Sequence, residues 1–215
     1  MPDTVVVFAG GAPPGSRALA AVPPGGTIVG ADRGAEHALD CGLYVDAAVG
    51  DFDSISPMAL EALAHAGTRI VRHPAAKDAT DLELALDEAM ALEPRRILLV
   101  GGVAGRLDHL LGELSLLAAD AYAAVELDAV LGDAVIDVVR RERTLVDDVG
   151  TLISLLPLHG PAVGVTTSGL AYPLNGETLT PGSSRGSSNV FAEREARVSV
   201  ERGVLLAVRP GESTI

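Results

Sequence analysis

Through roughly the first 140 residues, short β-branched apolar runs alternate with longer segments in which Ala and Leu recur at helical spacing. The pattern predicts strands at Thr4–Phe8, Thr27–Gly30, Ala47–Val49, Arg69–Val71, Arg96–Val100, Ala123–Leu127 and Ala134–Val139. It predicts helices between them at Ser16–Ala21, Gly34–Asp40, Pro57–Ala66, Asp81–Leu92 and Asp108–Ala119. Strands and helices alternating at these lengths imply crossover units, hence a Rossmann-like α/β domain with a mostly parallel sheet. Two helix starts are marked: Ser56-Pro57 sets an N-cap serine before a proline, and Thr80-x-x-Glu83 fits a capping box.

Past Arg140 the pattern changes. The run "RRERTLVDDVG" is charged and short on core residues. Strands are then predicted at Thr151–Leu156, Ala162–Thr166, Arg197–Val200 and Val204–Val208, with no helical stretch among them. Residues 141–215 are therefore expected to form a smaller all-β unit after an α/β domain over 1–140. So small a unit buries too little surface to stand comfortably alone, and it should pack on the first domain, a partner subunit, or both. The stretch "PGSSRGSSN" at 181–189 lies between predicted strands and reads as a long hairpin loop.

Composition narrows the function. Of 215 residues, 48% are hydrophobic, enough for a sizeable core, and the net charge is −13. With no basic patch, a nucleic-acid partner is not expected. An acidic chain can still hold a polyanion if Mg²⁺ or a local cation offsets the repulsion. Trp is absent, and the single cysteine, Cys41, permits no internal disulfide and is read as a packing residue. No apolar run approaches the ~20 residues of a membrane span. A cytoplasmic location, away from membranes, is the expectation.

Four acidic or glycine-rich stretches fall at predicted strand ends: "GADRGAEHA" (30–38), "GDFDS" (50–54), "KDATD" (77–81) and "GGVAGRLDH" (101–109). Ligands of open parallel sheets bind beyond the carboxyl ends of the strands, where distant segments converge. The converging side chains would be Asp32, Asp51, Asp53, Asp78, Asp81 and Asp108, with Lys77 and Arg106. Each aspartate alone is as well explained as a cap or turn residue. Together they would raise one another's pKa unless a cation were present, which points to Mg²⁺. The two cations suit a polyphosphate, and Gly101, Gly102 and Gly105 would let backbone N–H groups approach one. If the backbone around Phe52 stays extended, Asp51 and Asp53 project to one side.

No P-loop and no dinucleotide fingerprint occur, and the histidines lack zinc-ligand spacing. His37 and His65 read as helix-surface residues, and His109, beside Asp108, is a candidate nucleotide contact. Ser54 reads as a turn or phosphate-contact residue rather than a nucleophile.

These segments, in this order, resemble the thiamine pyrophosphokinase family. The likeness is carried by Ala31-Asp32-Arg33-Gly34-Ala35, Gly50 to Ser54, Lys77 to Asp81, Gly101 to His109 and the pair Ser188-Asn189 in the β-rich tail. The resemblance implies an α/β domain followed by a β-sandwich, in a homodimer with active sites at the subunit interface. It implies transfer of the terminal pyrophosphoryl group of ATP to the hydroxyl of thiamine, with Mg²⁺, releasing AMP. Asp51, Asp53, Asp81 and Asp108 would form the catalytic Mg-ATP site. Asp32, Lys77, Asp78, Thr80, Arg106, His109 and Ser54 would contact nucleotide or phosphates. Ser188 and Asn189 would contact thiamine, and Tyr172 in "GLAYPL" stands where the family commonly stacks thiamine on a tryptophan. Tyr172 reads equally as a half-buried strand residue. Asp81 and Asp108 are both candidates for the base that accepts the hydroxyl proton.

Three departures from the family pattern stand out: Arg33 replaces a glycine, where it would crowd the site or add a phosphate contact, Glu113 stands where Asn is frequent, and Trp, the family's usual thiamine stack, is missing. They leave two other readings open: a related pyrophosphokinase acting on another alcohol such as 6-hydroxymethylpterin, or a non-catalytic nucleotide- or thiamine-binding protein.

Overall fold

The computed structural model describes residues 2–103 and 106–211. Two compact units divide the chain: Met1–Glu113 with Ala124–Gly132, and Leu114–Ala123 with Asp133–Ile215.

In the first unit, β1 (Thr4–Phe8), β2 (Thr27–Ala31), β3 (Ala47–Gly50), β4 (Arg69–Arg72), β5 (Arg96–Gly101) and β6 (Glu126–Leu131) form a parallel array in the order β6-β5-β1-β2-β3-β4. The central strands are continuous apolar runs: Val5 to Phe8 and Ile97 to Val100 are buried without interruption. That is the signature of a sheet covered on both faces. Helices α2 (Arg33–Asp40) and α4 (Asp81–Ala91) pack on β1 and β2, and α1 (Ser16–Ala20) packs on β5 and β6. Gly34 permits the approach of α2, since a Cβ there would stand 2.0 Å from the carbonyl oxygen of Phe8.

Both marked helix starts are present. Ser56 Oγ accepts from the Ala59 amide at 3.1 Å to open α3 (Pro57–Ala66), and Thr80 Oγ1 accepts from the Glu83 amide at 3.2 Å to open α4. Strand β6 begins later than its apolar pattern suggests. It runs through Asp128, a buried carboxylate paired with Arg96 at 3.2 Å. One satisfied polar residue inside the strand breaks the apolar run. Helix α5 (Leu107–Leu117) follows β5.

The second unit carries two antiparallel arrays. One is ordered β12-β9-β14-β7, from β7 (Ala134–Val139), β9 (Leu152–Leu156), β12 (Asn189–Val190) and β14 (Leu205–Arg209). The other is β11-β10-β13-β8, from β8 (Glu142–Val146), β10 (Ala162–Ser168), β11 (Asn175–Leu179) and β13 (Glu195–Ser199). Leu145, Ile153, Leu155, Val165, Phe191 and Val198 form one buried cluster. Alternation of buried and exposed residues along β9 and β13 fits sheets with one covered face. The charged run after Arg140 is a strand after all: in β8 only Leu145 is buried, and its charged neighbours lie outward or pair. Among the described residues no helix is long and apolar enough to cross a membrane.

A buried ion network ties the ends of this unit together. Arg209 donates to Asp137 at 2.5 Å and to Asp147 at 3.2 Å, and Arg143 stands 3.7 Å from Asp137. Arg209 and Asp137 are 9% and 8% exposed. Removing one member of such a pair strands the other's charge in the interior. Asp137→Ala should therefore cost about 3 kcal/mol, read as a lowered urea midpoint.

Candidate active site

The site is built at the carboxyl ends of β2, β3 and β4. Asp32 follows β2 directly, its amide donating to the Val49 carbonyl at 2.8 Å. It occupies the cap position of α2, yet its side chain caps nothing. It points instead into the site, only 8% exposed, with Oδ2 accepting from Ser54 Oγ and Oδ1 buried without a partner.

Asp51 and Asp53 follow β3. The extended backbone expected around Phe52 is not found: Phe52 has φ 62° and its ring is buried. This left-handed residue folds the segment back, so that the Asp53 amide donates to Asp51 Oδ1 at 3.4 Å. The two carboxylates meet through a turn rather than through strand alternation. One oxygen from each of Asp32, Asp51 and Asp53 lies within 4.8 Å of the others, a set that could hold one metal ion.

Lys77 links this cluster to α4. Its Nζ is 3.1 Å from Asp51 Oδ2 and 2.9 Å from Asp81 Oδ1. Asp81 is also near Asp32, since a Cβ on Gly50 would fall 3.0 Å from Asp81 Oδ1 and 3.1 Å from Asp32 Cβ. No larger residue fits at position 50 without moving one of the two acids.

Electrostatics follow this arrangement. Burial pushes the Asp32 carboxyl upward, and the charges of Asp81 and Asp53 add to the rise against the lowering hydrogen bond from Ser54. The Lys77 ammonium, hydrogen-bonded to Asp51, draws that carboxyl down. Burial opposes charge on Lys77, but its bonds to Asp81 and Asp51 outweigh it and the ammonium is held upward.

Asp108 is not among the three acids whose oxygens converge; its partner is Arg106. They pair with each other at 2.6 Å, both well exposed, and the guanidinium holds the Asp108 carboxyl at about 2. His109 and Asp78 are exposed, and Thr80 serves as the cap of α4. Gly102, the first residue after β5, has its amide engaged by the backbone. The Gly102 amide donates to the Ala12 carbonyl at 2.9 Å, and a Cβ on Gly102 would meet Pro13 O at 2.4 Å. Gly105 lies outside the described residues.

His37 is not a surface residue. It is buried, with Nε2 2.9 Å from the Gly11 carbonyl oxygen, and so ties α2 to the glycine-rich loop after β1. His65 does lie exposed on α3. Cys41 is exposed at the end of α2 rather than packed. Arg33 stands 3.9 Å from Glu36 and lines a recess of about 310 Å³ with Gly11 and His37.

In the second unit, Tyr172, Ser188 and Asn189 line one groove of about 570 Å³. Tyr172 lies outside the strands and is 61% exposed, a free ring rather than a half-buried strand residue. Asn189 is buried beneath it: Oδ1 accepts from the Tyr172 amide at 3.0 Å, and Nδ2 donates to the Tyr172 carbonyl at 2.7 Å. Ser188, at φ 54°, donates its amide to Ser154 Oγ at 3.1 Å. Arg185 on the same wall is forked onto Glu177 at 2.7 and 2.8 Å.

Comparison with known proteins bears on both halves. Residues 25–127 match the description "Thiamin pyrophosphokinase, catalytic domain" and residues 135–205 match "Thiamin pyrophosphokinase, vitamin B1 binding domain". The thiamine pyrophosphokinase of Bacillus subtilis is 31% identical over 183 residues, covering 84% of this chain and 86% of that protein. The chain belongs to the thiamine pyrophosphokinase family. It is an enzyme of that kind, as its structural neighbours also indicate. The crystal structure of the Bacillus subtilis family member superposes with a TM-score of 0.84 at 28% identity, covering 97% of this chain and 99% of that one. That of the Geobacillus thermodenitrificans member gives 0.82 at 28% identity, covering 98% and 99%.

The raised Asp32 carboxyl has a cost that can be measured. The folded state binds its proton more tightly than the unfolded chain, so this contribution to stability is lost as pH climbs from the ordinary value of 3.8 through the folded one. Asp32→Asn in chelator should melt higher at neutral pH than the parent and lose less stability as pH rises through that window. Thermal unfolding at stepped pH checks it.

Proposed function

We propose that the carboxyl end of the parallel sheet binds Mg-ATP and that the Tyr172 groove binds thiamine, whose hydroxyl accepts the pyrophosphoryl group with release of AMP. The observation that carries this reading is the cluster of Asp32, Asp51 and Asp53, with a buried carboxylate oxygen on Asp32 that meets no donor. A hard divalent ion that takes oxygen ligands fits such a set. Mg²⁺, when bound there, would neutralise charge on the phosphate oxygens.

The chain's own groups do the rest. Asp32, Asp51 and Asp53 would hold the ion, and Ser54 fixes Asp32 by its hydrogen bond. Lys77 keeps Asp51 ionised and beside Asp81. Of the two candidate bases, Asp108 is exposed and paired with Arg106, whereas Asp81 stands beside Asp32 and Lys77 at the cluster. Asp81 is therefore assigned to accept the hydroxyl proton. Arg106, His109, Asp78 and Thr80 remain nucleotide-side residues in this proposal, and Asp108, given to the Mg site by the resemblance, moves to that side with its partner Arg106. Tyr172 would stack on thiamine in place of the family's tryptophan, and Asn189 would act by holding the Tyr172 backbone in place.

The proposal further takes 1–140 as the catalytic domain and 141–215 as the thiamine-binding one, in a cytoplasmic homodimer with active sites at the subunit interface. A pterin alcohol as acceptor, or binding without turnover, is not favoured, because both parts of the chain match thiamine pyrophosphokinase.

With ATP, Mg²⁺ and thiamine the chain should form AMP and thiamine diphosphate, with no ADP. Asp51→Asn should reduce that turnover by at least about a hundredfold while leaving the melting curve in place. ADP release, a pterin alcohol preferred to thiamine, or near-normal activity in the variant would each contradict the assignment.

A further inference from the structure

The cations of the site motifs are already committed. Lys77 lies between Asp51 and Asp81, Arg106 is paired with Asp108, and Arg33 faces Glu36. Arg72 differs. It is the last residue of β4, aligned in register with Gly50, the residue just before Asp51. Its guanidinium carbon lies 5.0 Å from the centroid of the Phe52 ring, and among the described residues it meets no carboxylate. It is exposed to solvent.

A guanidinium over an aromatic ring is held through its flat face, which leaves the N–H groups around its edge free to donate. The ring that holds Arg72 belongs to the left-handed residue between Asp51 and Asp53. The same cation–π contact therefore places the guanidinium beside the acidic turn. A planar fork of donors beside a divalent-ion site matches the oxygens of a nucleoside triphosphate. In a chain of net charge −13, an arginine left unpaired next to acids is available for an anion brought in from outside.

We propose that Arg72 is a nucleotide-binding residue: stacked on Phe52, it presents its free guanidinium edge to the phosphates of ATP. This rests on the pyrophosphokinase reading above, and it adds a phosphate ligand that no sequence motif marks.

The test is Mg-ATP binding to the full chain by calorimetry without any acceptor, in the parent, Arg72→Ala and Arg72→Lys, with melting curves and the KM for thiamine measured alongside. Arg72→Ala should weaken Mg-ATP about tenfold, the loss of one charge-assisted phosphate contact. Arg72→Lys should recover part of it, and the melting midpoint and thiamine KM should hold. Unchanged Mg-ATP affinity in Arg72→Ala would overturn the proposal. So would weaker Mg-ATP binding joined by a raised thiamine KM and a lower midpoint, which would make Arg72 a mere support for Phe52. The binding arm needs no acceptor. A chain that binds Mg-ATP through Arg72 but does not turn thiamine over would thus sustain this assignment and sink the proposed reaction.

Discussion

Like charges brought together at the end of a sheet repel, and the site depends on how this chain contains that repulsion. Asp32, Asp51 and Asp53 place oxygens within 4.8 Å of one another, with Asp81 close behind. One ammonium, on Lys77, bridges Asp51 and Asp81, and one hydroxyl, on Ser54, steadies Asp32. That leaves Asp32 with its pKa raised and one oxygen unpartnered. A protein selected for stability alone would not keep such an arrangement. Under the proposed function it is a cradle whose missing charge arrives with the ligand.

The scaffold explains how segments distant in sequence reach that point. Parallel strands all end on the same edge, so residues 32, 51–54 and 77–81 meet there although nearly fifty positions separate the first from the last. Close backbone approaches then set the spacing. Gly34 lets α2 sit against β1, and Gly50 leaves room for Asp32 and Asp81 at once. The glycines of these motifs serve packing as much as ligand access.

Much of this was legible in the sequence, for physical reasons. Doubly covered strands read as unbroken apolar runs, and Ser56 and Thr80 mark helix starts because their hydroxyls replace missing backbone acceptors. Strands with one buried residue, such as β8 with Leu145, or with polar ends, such as β11 and β12, carry no such pattern. In β6 the buried Asp128, paired with the part-exposed Arg96, hid the strand's second half. Within the proposed site, the motifs point to acids of which Asp32, Asp51 and Asp53 converge, but not to their geometry. The left-handed Phe52, the burial of His37 on the Gly11 carbonyl and the pairing of Asp108 with Arg106 depend on tertiary contacts that spacing does not encode. Arg72 was invisible for the same reason: only strand register and the Phe52 ring single it out. Tyr172 was visible as a candidate, but its exposure and its dependence on Asn189 were not.

The central claim is that Asp32, Asp51 and Asp53 form one divalent-ion site. Titration of the full chain with Mn²⁺, followed by the loss of its free-ion paramagnetic resonance signal, tests it without substrate or turnover. The account predicts saturable binding that Mg²⁺ competes away and that Asp53→Asn weakens by about tenfold or more. Equal Mn²⁺ affinity in the parent and in Asp53→Asn would contradict it.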